Sequence, residues 1–379
     1  MIMDNNAARA LARLGGAWSA PDATARQKKA EGEPVVGFLG ATAPVEMIAA
    51  SRAYPFRLKG TAPGTEDLTT EFADRLMEPV REAYLRHLFD RMLKGEFQWL
   101  DLLVIPRTSE GLLQFYYLLD YAKSLEHGER LPPVYLLDFL QTPHDYSVRY
   151  NHSMLCEFAN RLEEVTGTRP DSASISQQIV RYNAGRAAFR NISVGGKLDG
   201  VQRLKLAAFG QHEPIEDFCS IIEGLAELPP CPSAVRIGLS GSPHENASLY
   251  EALAAHGLDV AVEDHDWGGA IYEHDVSEAA EPIEALETRY RLYGISMRQF
   301  QRRHPELDLN GEEARVKAVA FYFEENDDTL GWEYPDERVR LERLGIAAPM
   351  LRGPVNGEAC LGGIADLAAR LQNGGTAHG

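Results

Sequence analysis

Cysteine is scarce in this chain of 379 residues. Cys156, Cys219, Cys231 and Cys360 are the only four, and no two stand close enough for a CxxC-type metal motif. Cys156, Cys219 and Cys360 fall on predicted helices among apolar neighbours, which points to buried thiols with a packing role. Positive charge is short as well. A formal net charge of −18 excludes the basic footprint that a nucleic-acid backbone demands and disfavours an anionic membrane surface. No run approaches the roughly 18 apolar residues of a membrane helix. The opening "MIMDNNAARALARLGGAWSAP" lacks the apolar core of a secretory signal, so a cytoplasmic protein is expected. Also missing are a GxxxxGK[ST] phosphate loop, a GxGxxG after a strand, a GxSxG elbow, an HExxH pair and a tandem Cys or His zinc pattern. No resident metal is expected from the residues alone.

What is present is an alternation of short apolar runs with helical stretches. "PVVGFLGA" (34–41), "YPFRLKG", "LDLLVIP" (100–106) and "PPVYLLDF" (132–139) read as buried strands. Between them lie "PVEMIAASRA", a long helical stretch from about Thr69 to Lys94, and a helix from Gly111 onward. Residues 145 to about 226 hold no convincing strand and read as helices, with Ser174 and Gln177 resembling a capping box. After "LPPCPS" the alternation resumes: "AVRIGLSGS", "LDVAVED", "AVAFYFEE" and "APMLRG" as strands. "ASLYEALAAHG", "EPIEALETRYRLY", "NGEEARVKAV", "DERVRLERLG" and "GGIADLAARLQ" are the helices. Strand–helix alternation implies parallel pairing with right-handed crossovers. The fold class is therefore α/β, with an N-terminal helical arm (1–33) made of a short amphipathic helix and a loose charged stretch "DATARQKKAEGE", a first lobe (34–144), a helical connecting region (145–228) and a second lobe (229–379). The same plan is used twice, which makes the cleft between the lobes the natural site.

Five blocks, in order, resemble the 2-hydroxyacyl-CoA dehydratase and benzoyl-CoA reductase subunit family. They are "VGFLGATAPVEMIAASRAYPFRLKG", "EPVREAYLRHLFDRMLKGEFQWLDLLVIPRTSE", "RIGLSGSP" with "LYEALAAHGLDVAVEDHDWGG", "EPIEALETRY" and "FYFEENDDTLGWEYPDERVRLERLGI". The resemblance implies two flavodoxin-like lobes, a [4Fe–4S] cluster between them at the floor of an acyl-CoA site, a homologous partner subunit and a separate ATP-hydrolysing electron donor. It also implies cysteines at positions where this chain has none. The position after the first strand falls on Gly40 (or Ala41), the one before Pro79 on Glu78, and the one in a Thr-Cys-Asp-like turn on Ser109, between Thr108 and Glu110. Three further family positions fall on Asp266, Ser296 and Asn326. Iron–sulfur clusters are held by thiolates, and serine oxygen is a harder donor than such iron prefers. The expectation is a chain that holds no cluster of its own and pairs with a cluster-bearing homologue, or with a second copy of itself, around an acyl-CoA substrate.

Individual residues carry two readings each. Ser109 precedes an apolar-periodic run, so it is either a ligand-facing hydroxyl or the N-cap of the next helix. Glu110 sits at that helix's positive end. Arg107 leaves its strand at the same edge and can take a phosphate or carboxylate bidentately, or pair with a neighbouring acid. In "GSPHEN" (241–246), Gly241 and Ser242 can offer backbone N–H groups to an anion or form a plain turn. His244 and Glu245 can do acid–base work or sit exposed. "EDHDWGG" (263–269) and "EENDD" (324–328) can supply oxygen ligands to a hard cation or stay solvated, with Trp267 packing inward. The chain could also work alone, with Glu78, Ser109, Glu110 and Asp266 as acid–base groups for hydration, dehydration or isomerisation of an acyl-CoA, or it could serve as a ligand-sensing module.

Overall fold

A computed structural model describes residues 5–60, 70–78, 82–124, 128–231, 234–298, 316–324, 327 and 330–372. Two four-stranded parallel sheets organise it. The first holds β1 (Val35–Phe38), β2 (Tyr54–Arg57), β3 (Leu102–Pro106) and β4 (Val134–Leu137) in the order β2-β1-β3-β4. The second holds β5 (Val235–Gly241), β6 (Leu258–Glu263), β7 (Val319–Phe323) and β8 (Met350–Arg352) in the matching order β6-β5-β7-β8. Each is the flavodoxin-like arrangement. The central strands β1, β3 and β7 are buried along their whole length, as runs such as "LLVIP" and "VAFYF" require when both sheet faces are covered.

The helices are α1 (Asn5–Ser19), α2 (Ala23–Ala30), α3 (Val45–Ala50), α4 (Ala73–Leu76), α5 (Ala83–Leu93), α6 (Glu110–Ala122), α7 (Asp145–Thr166), α8 (Ser172–Val194), α9 (Gly200–His212), α10 (Ile215–Leu225), α11 (Ser248–Ala255), α12 (Pro282–Leu292), α13 (Tyr334–Arg343) and α14 (Glu358–Gln372). One face of the first sheet packs on Leu85, Leu88 and Phe89 of α5 and Phe115 and Leu119 of α6. The other packs on α3, α7 and α8, and also on Ala285, Leu286 and Tyr290 of α12. So α12, which lies in sequence between two strands of the second sheet, seals the first. The second sheet packs on α11 and α14 and on Leu204 and Ala208 of α9.

Four local expectations change. The stretch "DATARQKKAEGE" is not loose but contains α2, whose Lys28 and Lys29 complement the helix's negative end. The single helix expected over Thr69–Lys94 is broken: Met77 is extended, and α4 and α5 are separate. Pro79 follows closely in the sequence, and a proline restrains the residue before it from helical geometry. Asp90 of α5 then accepts from the backbone N–H groups of Phe72 (3.1 Å) and Ala73 (2.8 Å), closing the start of α4. The capping box of α8 begins at Asp171, with Ser174 as its reciprocal partner. Cys156, Cys219 and Cys231 are half-buried, and only Cys360 is fully enclosed. The helix expected at "NGEEARVKAV" lies largely outside the described residues. No described helix is long and apolar enough to cross a membrane.

Candidate functional site: the inter-lobe cleft

In a sheet ordered 2-1-3-4, loops leave the strands' carboxyl ends in opposite directions and open a crevice. Here the two crevices face each other across a cleft of about 450 Å³. Thr108 and Ser109 enter it from beyond β3, Gly241 and Pro243 from beyond β5, His265 and Asp266 from beyond β6, and Ser296 and Met297 from the segment after α12. Tyr84, Leu112, Ile295 and Leu330 complete the wall. Three positions where the resemblance implies cysteines, Ser109, Asp266 and Ser296, thus converge. A fourth, Gly40, adjoins them: a Cβ there would lie 3.3 Å from Thr108 Oγ1. Asn326 lies outside the described residues, as do Glu325 and Asp328 of "EENDD".

Each of these side chains is tied into the fold. Ser109 Oγ accepts from the Leu112 N–H at 3.1 Å and is the N-cap of α6. Beside it, Glu82 packs so tightly over Gly111 that a Cβ there would come within 2.4 Å of Oε1. The acid and the cap together fill the helix's positive end. Ser296 Oγ donates to the Thr108 carbonyl at 3.1 Å, and the Met297 N–H reaches the same oxygen at 3.1 Å. Asp266 Oδ2 accepts from Arg57 at 2.7 Å. Arg57, 1% exposed, also reaches Gln211 and lies 3.7 Å over the Trp267 ring. Gly60 N–H donates to both carboxylate oxygens of Glu245, at 2.9 and 3.1 Å. These contacts latch the lobes together.

Several other expectations are relocated. Glu78 and Glu110 are exposed and do not line the cleft. Arg107 pairs with Glu110 (3.3 Å) and Asp138 (3.4 Å), the neighbouring-acid alternative. The N–H groups of Gly241 and Ser242 do not await an anion. Gly241 donates to Asp264 at 3.4 Å and Ser242 to the Tyr322 carbonyl at 2.9 Å. Gly241 has φ +116° and its Cβ would meet the Tyr322 oxygen at 2.1 Å, so glycine is required by this close approach rather than by a ligand. His244 is buried, not exposed, because its ring packs edge-to-face with Tyr250 and His265 and tilted against Tyr322; its Nε2 has no hydrogen-bond partner among the described residues. The acids of "EDHDWGG" are not solvated either. Glu263 accepts from the Gly269 N–H, and Asp264 accepts from Ser240 at 2.7 Å. Trp267 packs inward. Among the described residues no group of three or more His, Cys, Asp or Glu could hold a metal ion.

Burial sets the titration of the site. It draws His244 well below its ordinary value, with the nearby His265 adding to the effect, and it lowers His265. Trp267 N–H donates to His265 Nδ1 at 3.3 Å, which leaves the proton on Nε2, facing Tyr250 Oη at 2.7 Å. Glu324, just beyond β7, is pushed up to about 7 by burial and by the carboxylates of Glu245, Asp327 and Glu82. Sequence reasoning missed Glu82, Tyr84 and Arg57. For Arg57 a signal existed: an arginine closing an otherwise apolar strand, "YPFR", implies a buried counter-charge.

A [4Fe–4S] cluster does not fit this donor set. The cleft offers hydroxyls, one carboxylate, one imidazole and a thioether, whereas such clusters take thiolates. All four cysteines lie elsewhere, on α7, α10, α14 and the loop after α10. The family model described as 2-hydroxyglutaryl-CoA dehydratase, D-component, matches residues 41–371, beginning just after β1 and leaving α1 and α2 outside. None of the curated proteins compared with the chain matches it. With nearly the whole length of both lobes matched, the chain belongs to the 2-hydroxyglutaryl-CoA dehydratase D-component family.

Proposed function

We propose that this family member is a component that holds no cluster itself and acts with a homologous, [4Fe–4S]-bearing subunit on an acyl-CoA thioester in the cytoplasm. One observation carries the reading. Ser109, Asp266 and Ser296 converge on a single cleft, and each uses its oxygen to hold the protein together. The scaffold of the family's site is kept while its sulfur donors are replaced by structural groups. A subunit of this kind contributes shape and a docking surface. The chemistry then belongs to the partner, or, if the partner is a second copy, to a site completed between copies. The test is anaerobic co-expression with homologous subunits from adjacent genes. Iron and sulfide are expected to follow the partner and to be absent from the isolated chain. Stoichiometric iron and sulfide on the isolated chain, or a chain that ignores both homologous subunits and CoA esters, would falsify the reading.

A second reading has one specific support. Asp266 Oδ1 is buried without a hydrogen-bond partner among the described residues, and Asp266 lines the cleft. A carboxylate so placed is a candidate base for non-redox chemistry at an acyl-CoA. Turnover of a thioester by the isolated chain without reductant, lost in Asp266→Asn but kept in Glu78→Gln, would move the assignment to this reading.

A further inference from the structure

A second cavity of about 690 Å³ lies between the first lobe and helices α8, α9, α10 and α12. It has no lining residue in common with the cleft. Much of its wall is apolar, with Phe38, Val45, Ile215 and Ile271 among its members, but two buried guanidiniums, Arg186 and Arg289, also line it.

The two arginines are treated differently. Arg186 donates to Glu46, which also accepts from Tyr290 Oη at 2.8 Å, so its charge is matched. Arg289 has no carboxylate partner among the described residues. Its Nε donates to the His274 carbonyl at 2.7 Å, and its terminal nitrogens to the carbonyls of Tyr293 (2.7 Å) and Ile271 (3.0 Å). A guanidinium carries five N–H donors; these bonds leave one on each terminal nitrogen. Burial, with Arg186 beside it, lowers Arg289 to about 10. Glu46 and Asp275, the acids acting on it from further away, are already paired, with Arg186 and Arg190 respectively. Glu213, the one acid on the wall, has the Thr24 hydroxyl 2.9 Å from both oxygens. The cavity therefore joins apolar surface to a buried positive charge that lacks a counter-ion, and a carboxylate matches the fork of an arginine better than any neutral group does.

We propose that this cavity binds a small monocarboxylate with an apolar body, its carboxylate on Arg289 and its body against Phe38, Val45 and Ile215. The inference does not rest on the assignment of the cleft. It is tested on the full chain by calorimetry with phenylacetate and its neutral isostere phenylacetamide. Saturable one-site binding of the acid, at least tenfold tighter than the amide, is expected. Arg289→Met should weaken the acid at least tenfold and leave the amide unchanged. Because Arg289 also holds three carbonyls, Ile271→Trp, which fills the cavity and keeps the charge, decides the matter if Arg289→Met does not fold. Acid binding that survives Ile271→Trp, equal affinity for acid and amide, or no binding at millimolar ligand overturns the proposal.

Discussion

Beyond the strands of the first sheet stand Gly40, Thr108 and Ser109; beyond those of the second stand Ser242, His244, Asp264, His265 and Asp266. The strand order is the same in both sheets, and so is the way it aims the loops. The chemistry placed on those loops differs. Where it enters the cleft, the first lobe's edge presents the small, neutral Thr108 and Ser109 and ends in a helix cap. The second lobe's edge is buried and polar, with Ser240 bonded to Asp264 and Tyr250 to His265. Topology selects where a site can lie, and side-chain chemistry decides whether the place binds a group or braces the protein. In this chain both edges brace. The first lobe also depends on the second for α12, so the pair is a mutual construction rather than two modules set side by side.

The strongest way to break that view is at the joint made by α12. Glu46 of α3 is 0% exposed and is shared by Arg186 of α8 and Tyr290 of α12. Arg186→Met leaves a buried carboxylate without its counter-charge, which costs about 3–5 kcal/mol. Urea unfolding should show a loss of that size. A loss under about 1 kcal/mol would mean that Glu46 does not depend on Arg186 for its counter-charge.

Next in size is the Arg57 latch. Arg57→Met removes the bonds to Gln211 and Asp266 and the contact with Trp267. A loss of about 2–3 kcal/mol is expected from hydrogen bonds to charged groups, whereas Arg57→Lys should recover only part of it because lysine cannot bridge Gln211 and Asp266 in one plane. Equal stabilities for the two variants would show that charge alone makes the latch.

The acidic side of the cleft supplies a pH test. Glu324 stands at about 7 in the folded chain against an ordinary value of 4.5. Between those values the folded state binds more protons than the unfolded state, so stability is full below about 4.5 and falls as pH rises through 7. The expected size is about 1–2 kcal/mol, reduced from the full shift because the group is partly exposed. Glu324→Gln should flatten that part of the stability–pH curve. An unchanged slope would move the effect to another carboxylate.

How much of this could be read in the sequence follows from the range of each interaction. The eight strands were legible because buried parallel strands are continuous apolar runs, and the doubled architecture followed from their alternation. The break at Met77 was legible in principle from Pro79. Ser109 as a cap was one of two open readings, since a cap bond spans only three residues. What the sequence could not disclose were pairings between distant segments, such as Arg57 with Asp266, Glu46 with Arg186, and the packing of α12 on the other lobe. Nor could it disclose that the backbone donors of Gly241 and Ser242 already have acceptors, because those acceptors are Asp264 and Tyr322.

The smallest expected effect concerns Ser109, one of the positions where the resemblance implies a cysteine. As the N-cap of α6 its hydroxyl holds the Leu112 N–H, and loss of such a cap costs about 1 kcal/mol. Ser109→Ala should show that loss, and Ser109→Asp should recover it, since aspartate caps as well as serine does. If Ser109 served instead as a ligand-facing hydroxyl, stability would be indifferent to Ala, and CoA-ester binding would change instead. Ser109→Cys adds a further measurement. Its thiol is a weak acceptor, so the variant should be destabilised nearly as much as Ser109→Ala. It should also remain free of iron after anaerobic reconstitution, because the other matched positions in the cleft still present Asp266 and Ser296. Iron retained by this single variant would mean that the second lobe's edge still accepts a metal, and the braced picture of that edge would fail.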